Sequence, residues 1–121
     1  MNQQKEILQW SINTFGTIAS DKEERVKRFA EEAIELCQAA NLDIEDLFAI
    51  VWSVYNKPNG AIYQELGQTA LTLALLAEVY DLNANVEMAC EFDRVRSFDK
   101  SYWQARQNRK AEMGIAAFCN N

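Results

Sequence analysis

One proline, Pro58, and four glycines are the only strong breakers in a chain of 121 residues. So few breakers leave long uninterrupted stretches and disfavour the turn-rich chain that β architecture needs. No stretch alternates apolar and β-branched residues with polar ones over a strand's length, so the expected fold is all-α. Apolar residues make up 49%, enough to drive globular folding rather than disorder. The length suits one domain over 1–121 and is too short for two ordinary ones.

Spacing and caps place six helices. Ile7, Leu8, Trp10, Ile12 and Phe15 mark the first, about 3–15, which Gly16 ends. Ser20 with Glu23, or Asp21 with Glu24, reads as a capping box opening the second, which runs to about 40. Val26, Phe29, Ala30, Ala33, Cys37 and Ala40 recur there at three- and four-residue steps, an apolar stripe expected to be its buried face. Asp43 caps a third helix over about 44–55. "NKPNG" at 56–60 is the strongest break, and a fourth helix follows over about 61–80. Asn83 or Asn85 opens a fifth, about 86–96, and a sixth over about 99–113 stops at Gly114.

The fourth helix is unusual. Between Leu66 and Ala77 only Gly67, Gln68, Thr69 and Thr72 are not apolar. That run is too short and interrupted to span a membrane, so it reads as a central helix buried on most sides. Glu65, Gln68, Thr69 and Thr72 fall at i, i+3, i+4 and i+7, one polar seam on an apolar rod. Buried polar groups left unpaired cost about 1–3 kcal/mol each, so a polar partner is expected to face the seam. Trp10, Trp52 and Trp103 each fall on a helix stripe and read as core or subunit packing.

Composition narrows the chemistry. Histidine is absent, which removes Ser–His and Cys–His catalysis and the commonest transition-metal ligand. Cys37, Cys90 and Cys119 lack CxxC spacing, so they read as buried free thiols suited to a reducing cytosol. The N-terminal residues lack a basic stretch followed by an apolar one, so no secretory signal is expected and the location is cytoplasmic. The net charge is −6, but 94–110 carries six cations against Asp99, a balance of +5 that leaves −11 elsewhere. An acidic body argues against nucleic-acid binding, and a local basic segment suits a small polyanion.

Glu31, Glu32 and Glu35 sit together on the second helix. At about 100° per residue, Glu32 lies at the edge of the apolar stripe, Glu35 further round and Glu31 on the outer face. Two readings stay open. Lys27 and Arg28, three or four residues before Glu31 and Glu32, can form ordinary helix ion pairs worth about 0.2–0.5 kcal/mol each. Alternatively the carboxylates are half of a metal site, with Glu65 converging on them if helices two and four pack side by side. Oxygen ligands without histidine suit Mg²⁺, or Mn²⁺.

"RFAEEAIELCQA" followed by "QELGQTALTLALLAE" resembles the MazG-like, all-α nucleoside triphosphate pyrophosphohydrolase superfamily. That superfamily carries EExxE on one helix and ExxD on a later one, all contributing to Mg²⁺ binding. Glu31, Glu32 and Glu35 match the first motif, and Glu65 the glutamate of the second; Gln68 stands in place of its aspartate. The likeness covers helices two to four, about half of the chain. It implies a four-helix-bundle core with additional terminal helices, and a homodimer or higher homo-oligomer. It implies Mg²⁺-dependent cleavage of a (deoxy)nucleoside triphosphate to monophosphate and pyrophosphate, with pool sanitation as its purpose. Glu32, Glu35 and Glu65 become the metal and catalytic residues, Gln68 a neutral ligand, and Glu31 a supporting partner outside the coordination sphere. Lys100, Arg106, Arg109 and Lys110 are then candidates for substrate contact. The alternative is a non-catalytic relative that binds nucleotide or a protein partner, its second motif degraded at Gln68.

Overall fold

Capping chemistry sets the helix boundaries. In the computed structural model, which describes residues 2–120, Asn2 opens α1 (Gln3–Phe15) by accepting from the Lys5 N–H at 2.9 Å. Gly16, at φ 95°, ends that helix in a conformation that a side chain would strain. A short 3-10 turn, Thr17–Ser20, follows. Asp21 then caps α2 (Lys22–Ala39), its Oδ2 accepting from the Glu24 N–H at 2.9 Å. The remaining helices are α3 (Ile44–Tyr55), α4 (Ile62–Val79), α5 (Ala84–Arg96) and α6 (Lys100–Glu112). Asn83 opens α5 by accepting from the Val86 N–H at 3.0 Å. Gly114, at φ 80°, lies just past α6. Among the described residues there is no strand, so the protein is all-α, and no helix is long and apolar enough to cross a membrane.

The chain divides into two units, Met1–Asn41 with Arg96–Asn121, and Leu42–Val95. In the first, α1 packs on the 3-10 turn and on α6, and the turn packs on α2. Its best-buried side chains are mostly polar: Ser11, Thr14, Glu24 and Gln107, beside Ala19. Thr14, Glu24 and Gln107 are hydrogen-bonded, as buried polar groups generally are. The Thr14 hydroxyl donates to Trp10 O at 2.8 Å, and Gln104 Nε2 donates to Thr14 O at 3.0 Å. The segment after Gly114 is strapped down. Asn120 alone makes three bonds: its N–H to Phe15 O (3.2 Å), its Oδ1 from the Ile18 N–H (2.9 Å) and its Nδ2 to Thr17 Oγ1 (2.9 Å).

This unit inverts the expected burial of α2. Val26 and Phe29, on the apolar stripe, are 66% and 57% exposed, whereas Glu24 on the polar side is 3% exposed. The reason is local. The strap offers backbone N–H and carbonyl groups, so it docks on the charged side of α2, where partners for them stand.

In the second unit, no extended helix–helix packing joins α3, α4 and α5 among the described residues. Phe92 is its one buried side chain among the described residues. The expected burial of α4 is absent within the chain: Ile62 and Val79, at its two ends, are 86% and 80% exposed. Nor does its polar seam require an outside partner for the threonines. Thr69 Oγ1 donates to Glu65 O at 2.8 Å, and Thr72 Oγ1 to Gln68 O at 2.7 Å, each bonding one turn back on its own helix.

Candidate metal centre

Glu31, Glu32 and Glu35 each offer a carboxylate oxygen, and the three atoms lie within 4.8 Å of one another. Glu32 and Glu35 are exposed and Glu31 is half-buried. Oxygens on one Mg²⁺, each about 2.1 Å from it, are at most about 4.2 Å apart. A cluster bounded at 4.8 Å is therefore of the size of one ion's shell, reached directly or after a small side-chain rotation.

Glu31 is engaged by two cations. Its Oε1 accepts from Lys110 Nζ at 2.7 Å and lies 3.5 Å from Arg28 Nη1. Lys27, a candidate partner for Glu31, instead pairs with Glu23 at 3.2 Å. Lys110, a candidate substrate contact, thus reaches Glu31 from α6. Arg106 lies over the Tyr102 and Trp103 rings, 5.7 and 5.9 Å from their centroids, in a cluster that Phe98 joins. Lys100 and Arg109 are exposed on the same helix.

Behind the cluster lies a network that sequence reasoning missed. The buried Glu24 carboxylate accepts from Gln107 Nε2 at 2.8 Å and from the Ala117 N–H at 2.9 Å. Arg28 Nε lies 3.3 Å from Glu24 Oε1, and Arg28 Nη2 donates to Ile115 O. Gln107 Nε2 also donates to Ala117 O at 2.8 Å. Glu24, Arg28, Glu31 and Glu35 are thus one ladder along α2, at i, i+4, i+7 and i+11. The i, i+4 spacing of opposite charges was visible as a signal, but it reads as solvated pairs until the strap is known. Burial lowers the Arg25 pKa, with Glu24 opposing and Arg28 adding to that shift.

A groove of about 490 Å³ runs between α2 and the start of the strap. Its lining includes Lys27, Arg28, Glu31 and Glu35 with Ile34 and Ile115, and the surface they present to it is mostly apolar. Two of the three clustered residues, Glu31 and Glu35, therefore border this groove.

In the second unit, Glu65 and Gln68 are exposed on the first turns of α4. Their i, i+3 spacing puts them on one side of that helix. Glu65 folds back over Gly60, where a Cβ would lie 2.7 Å from its Oε1. Its place in the first turn favours a carboxylate through the helix dipole. Its presence is therefore explained without burial or a cation.

Of the cysteines, Cys90 is exposed, contrary to its expected burial, and Cys37 and Cys119 are half-buried; all three are free. Burial pushes the Cys119 thiol above its usual pKa. No family model, curated protein or solved structure matches the chain.

Proposed function

We propose that this chain is a cytoplasmic, Mg²⁺-dependent pyrophosphohydrolase of MazG-like kind, built on a four-helix core and working as a homo-oligomer. Its substrate is a (deoxy)nucleoside triphosphate, cleaved to the monophosphate and pyrophosphate. The observation that carries this reading is the Glu31, Glu32 and Glu35 cluster at the edge of a groove, on residues that match an EExxE motif in full. The donor set is all oxygen and anionic, which fits Mg²⁺ or Mn²⁺.

Glu32 and Glu35 would hold the ion, with Glu65 and Gln68 assigned to the same site on the motif alone. The bound ion supplies charge neutralisation of the phosphates and a water of raised acidity. In the reaction, a water oxygen bonds to the α-phosphorus and the bond from that phosphorus to the bridging oxygen breaks. Pyrophosphate leaves with that oxygen. Glu31, held on Lys110 and Arg28, would orient its neighbours and support the ion's ligands from outside the coordination sphere. Arg106, one turn before Lys110 on α6, would meet a phosphate or stack on a base.

The test is metal-dependent pyrophosphate release across a panel of canonical and modified triphosphates. Activity is expected with Mg²⁺ or Mn²⁺ and lost on chelation, and Glu35→Gln should reduce it at least about 100-fold, as for a lost transition-state electrostatic contact. No release from any triphosphate would favour the non-catalytic alternative, for which Gln68 is the specific support.

A further inference from the structure

Asn59 is the only asparagine in the chain that a glycine follows. Asn59 and Gly60 are exposed and lie in the connection between α3 and α4, outside both helices. Among the described residues no hydrogen bond holds the Asn59 amide or the Gly60 N–H. Asn56, in the same connection, differs on both counts: its Nδ2 donates to Trp52 O at 2.8 Å, and Lys57 follows it. Asn2, Asn83 and Asn120 are likewise bonded through their side chains. An unheld asparagine before glycine carries chemistry of its own. Its side-chain amide carbon can close a five-membered ring with the next backbone nitrogen, and a residue without Cβ leaves that nitrogen open to approach.

We propose that Asn59–Gly60 is a site of self-modification, at which ring closure converts the Asn59 amide to a carboxylate. The Gly60 nitrogen bonds to Asn59 Cγ and the Cγ–Nδ2 bond breaks. The Gly60 amide proton leaves with Nδ2 as ammonia. Water then opens the succinimide at either carbonyl. Attack at Cγ gives aspartate; attack at the backbone carbonyl gives isoaspartate, whose chain runs through Cγ. Water is the only other reactant, so the inference is independent of the hydrolase reading. The fold adds a restraint. A Cβ on Gly60 would lie 2.7 Å from Glu65 Oε1, which sets that carboxylate against the Gly60 backbone. The attacking nitrogen is an amide that has lost its proton, and its addition puts negative charge on the Asn59 side-chain oxygen. A negative charge alongside opposes both. Glu65 therefore slows the conversion. Each conversion adds a second carboxylate ahead of α4, where Ala61 supplies no side-chain cap.

The test incubates the full chain at neutral and mildly alkaline pH and follows each asparagine by peptide mapping with mass spectrometry. Isoaspartate is measured by enzymatic methylation. Conversion at Asn59 is expected to outrun that at Asn56 at least about 10-fold, and to quicken as pH rises, because the attacking amide must lose its proton. Asn59→Gln, whose ring would need one more atom, should stay unmodified over the same time. Glu65→Gln should speed conversion about 5-fold, the Coulomb effect of one nearby charge in water. Added salt should speed the wild type but not Glu65→Gln, since screening acts on that charge. Equal rates at Asn59 and Asn56 in the folded chain overturn the proposal. A Glu65→Gln chain that converts no faster, or that responds to salt as the wild type does, overturns the restraint. All of these are read as mass, so they stand or fall apart from pyrophosphate release.

Discussion

Glu24 shows how one side chain links a chain end to a candidate site. Its two oxygens serve Gln107, Ala117 and Arg28, and Arg28 reaches on to Glu31. A buried carboxylate with this many partners is costly to lose, because removal leaves buried donors without acceptors. Glu24→Leu should destabilise the protein by about 2–3 kcal/mol, read as a shift in the urea midpoint. Glu24→Gln, which keeps one acceptor, should cost less. Equal midpoints for Glu24→Leu and wild type would mean that the strap's other bonds, those of Asn120, Arg28 and Gln107, hold it without the Glu24 carboxylate. Lys110 illustrates the same economy: a cation that composition suggested for phosphate instead offsets the charge of a carboxylate triplet.

At the scale of elements, two helix ends share one device. Asn41 after α2 and Asp81 after α4 adopt positive φ, 65° and 58°. Each is followed by a leucine and then by the residue that opens the next helix, Asp43 or Asn83. Asparagine and aspartate tolerate this left-handed conformation better than other side chains, but glycine adopts it without strain. Asp81→Gly should therefore stabilise the protein by a few tenths of a kcal/mol, up to about 1 kcal/mol, seen as a higher melting temperature. A lower one would show that the Asp81 side chain contributes contacts that outweigh the backbone strain.

For the whole molecule, charge and cover are the open demands. Three carboxylates within 4.8 Å repel unless cations stand by, and Lys110 with Arg28 stands by Glu31. Millimolar Mg²⁺ should raise the melting temperature, by linkage to a site present only in the folded state, and Glu35→Gln should abolish that rise. Gln68→Asp adds an anionic oxygen on α4. If Gln68 shares the site, calorimetric titration without nucleotide should show tighter Mg²⁺ binding by that variant. Unchanged affinity would confine the metal to the α2 carboxylates.

The division between what the sequence decides and what only the tertiary structure decides follows from range. Helix ends were legible because caps, glycines and left-handed residues act within four or five positions: α1 and α3 occupy their expected bounds, and of the alternatives that spacing left open, Asp21 over Ser20 and Asn83 over Asn85, the structure takes the former of each pair. The short 3-10 turn was not, since one tight turn carries no periodic signal. The acidic cluster was legible for the same reason, since its three residues share one turn of one helix. The Lys110 bond to Glu31 and the Glu24 contacts with Gln107 and Ala117 join residues 79 to 93 positions apart, and no local pattern encodes them. Burial was misread on α2 and α4 because an apolar stripe records a need for cover and not what supplies it. On α2 the strap covered the charged side, where its backbone found hydrogen-bond partners. On α4 the chain supplied little cover at all.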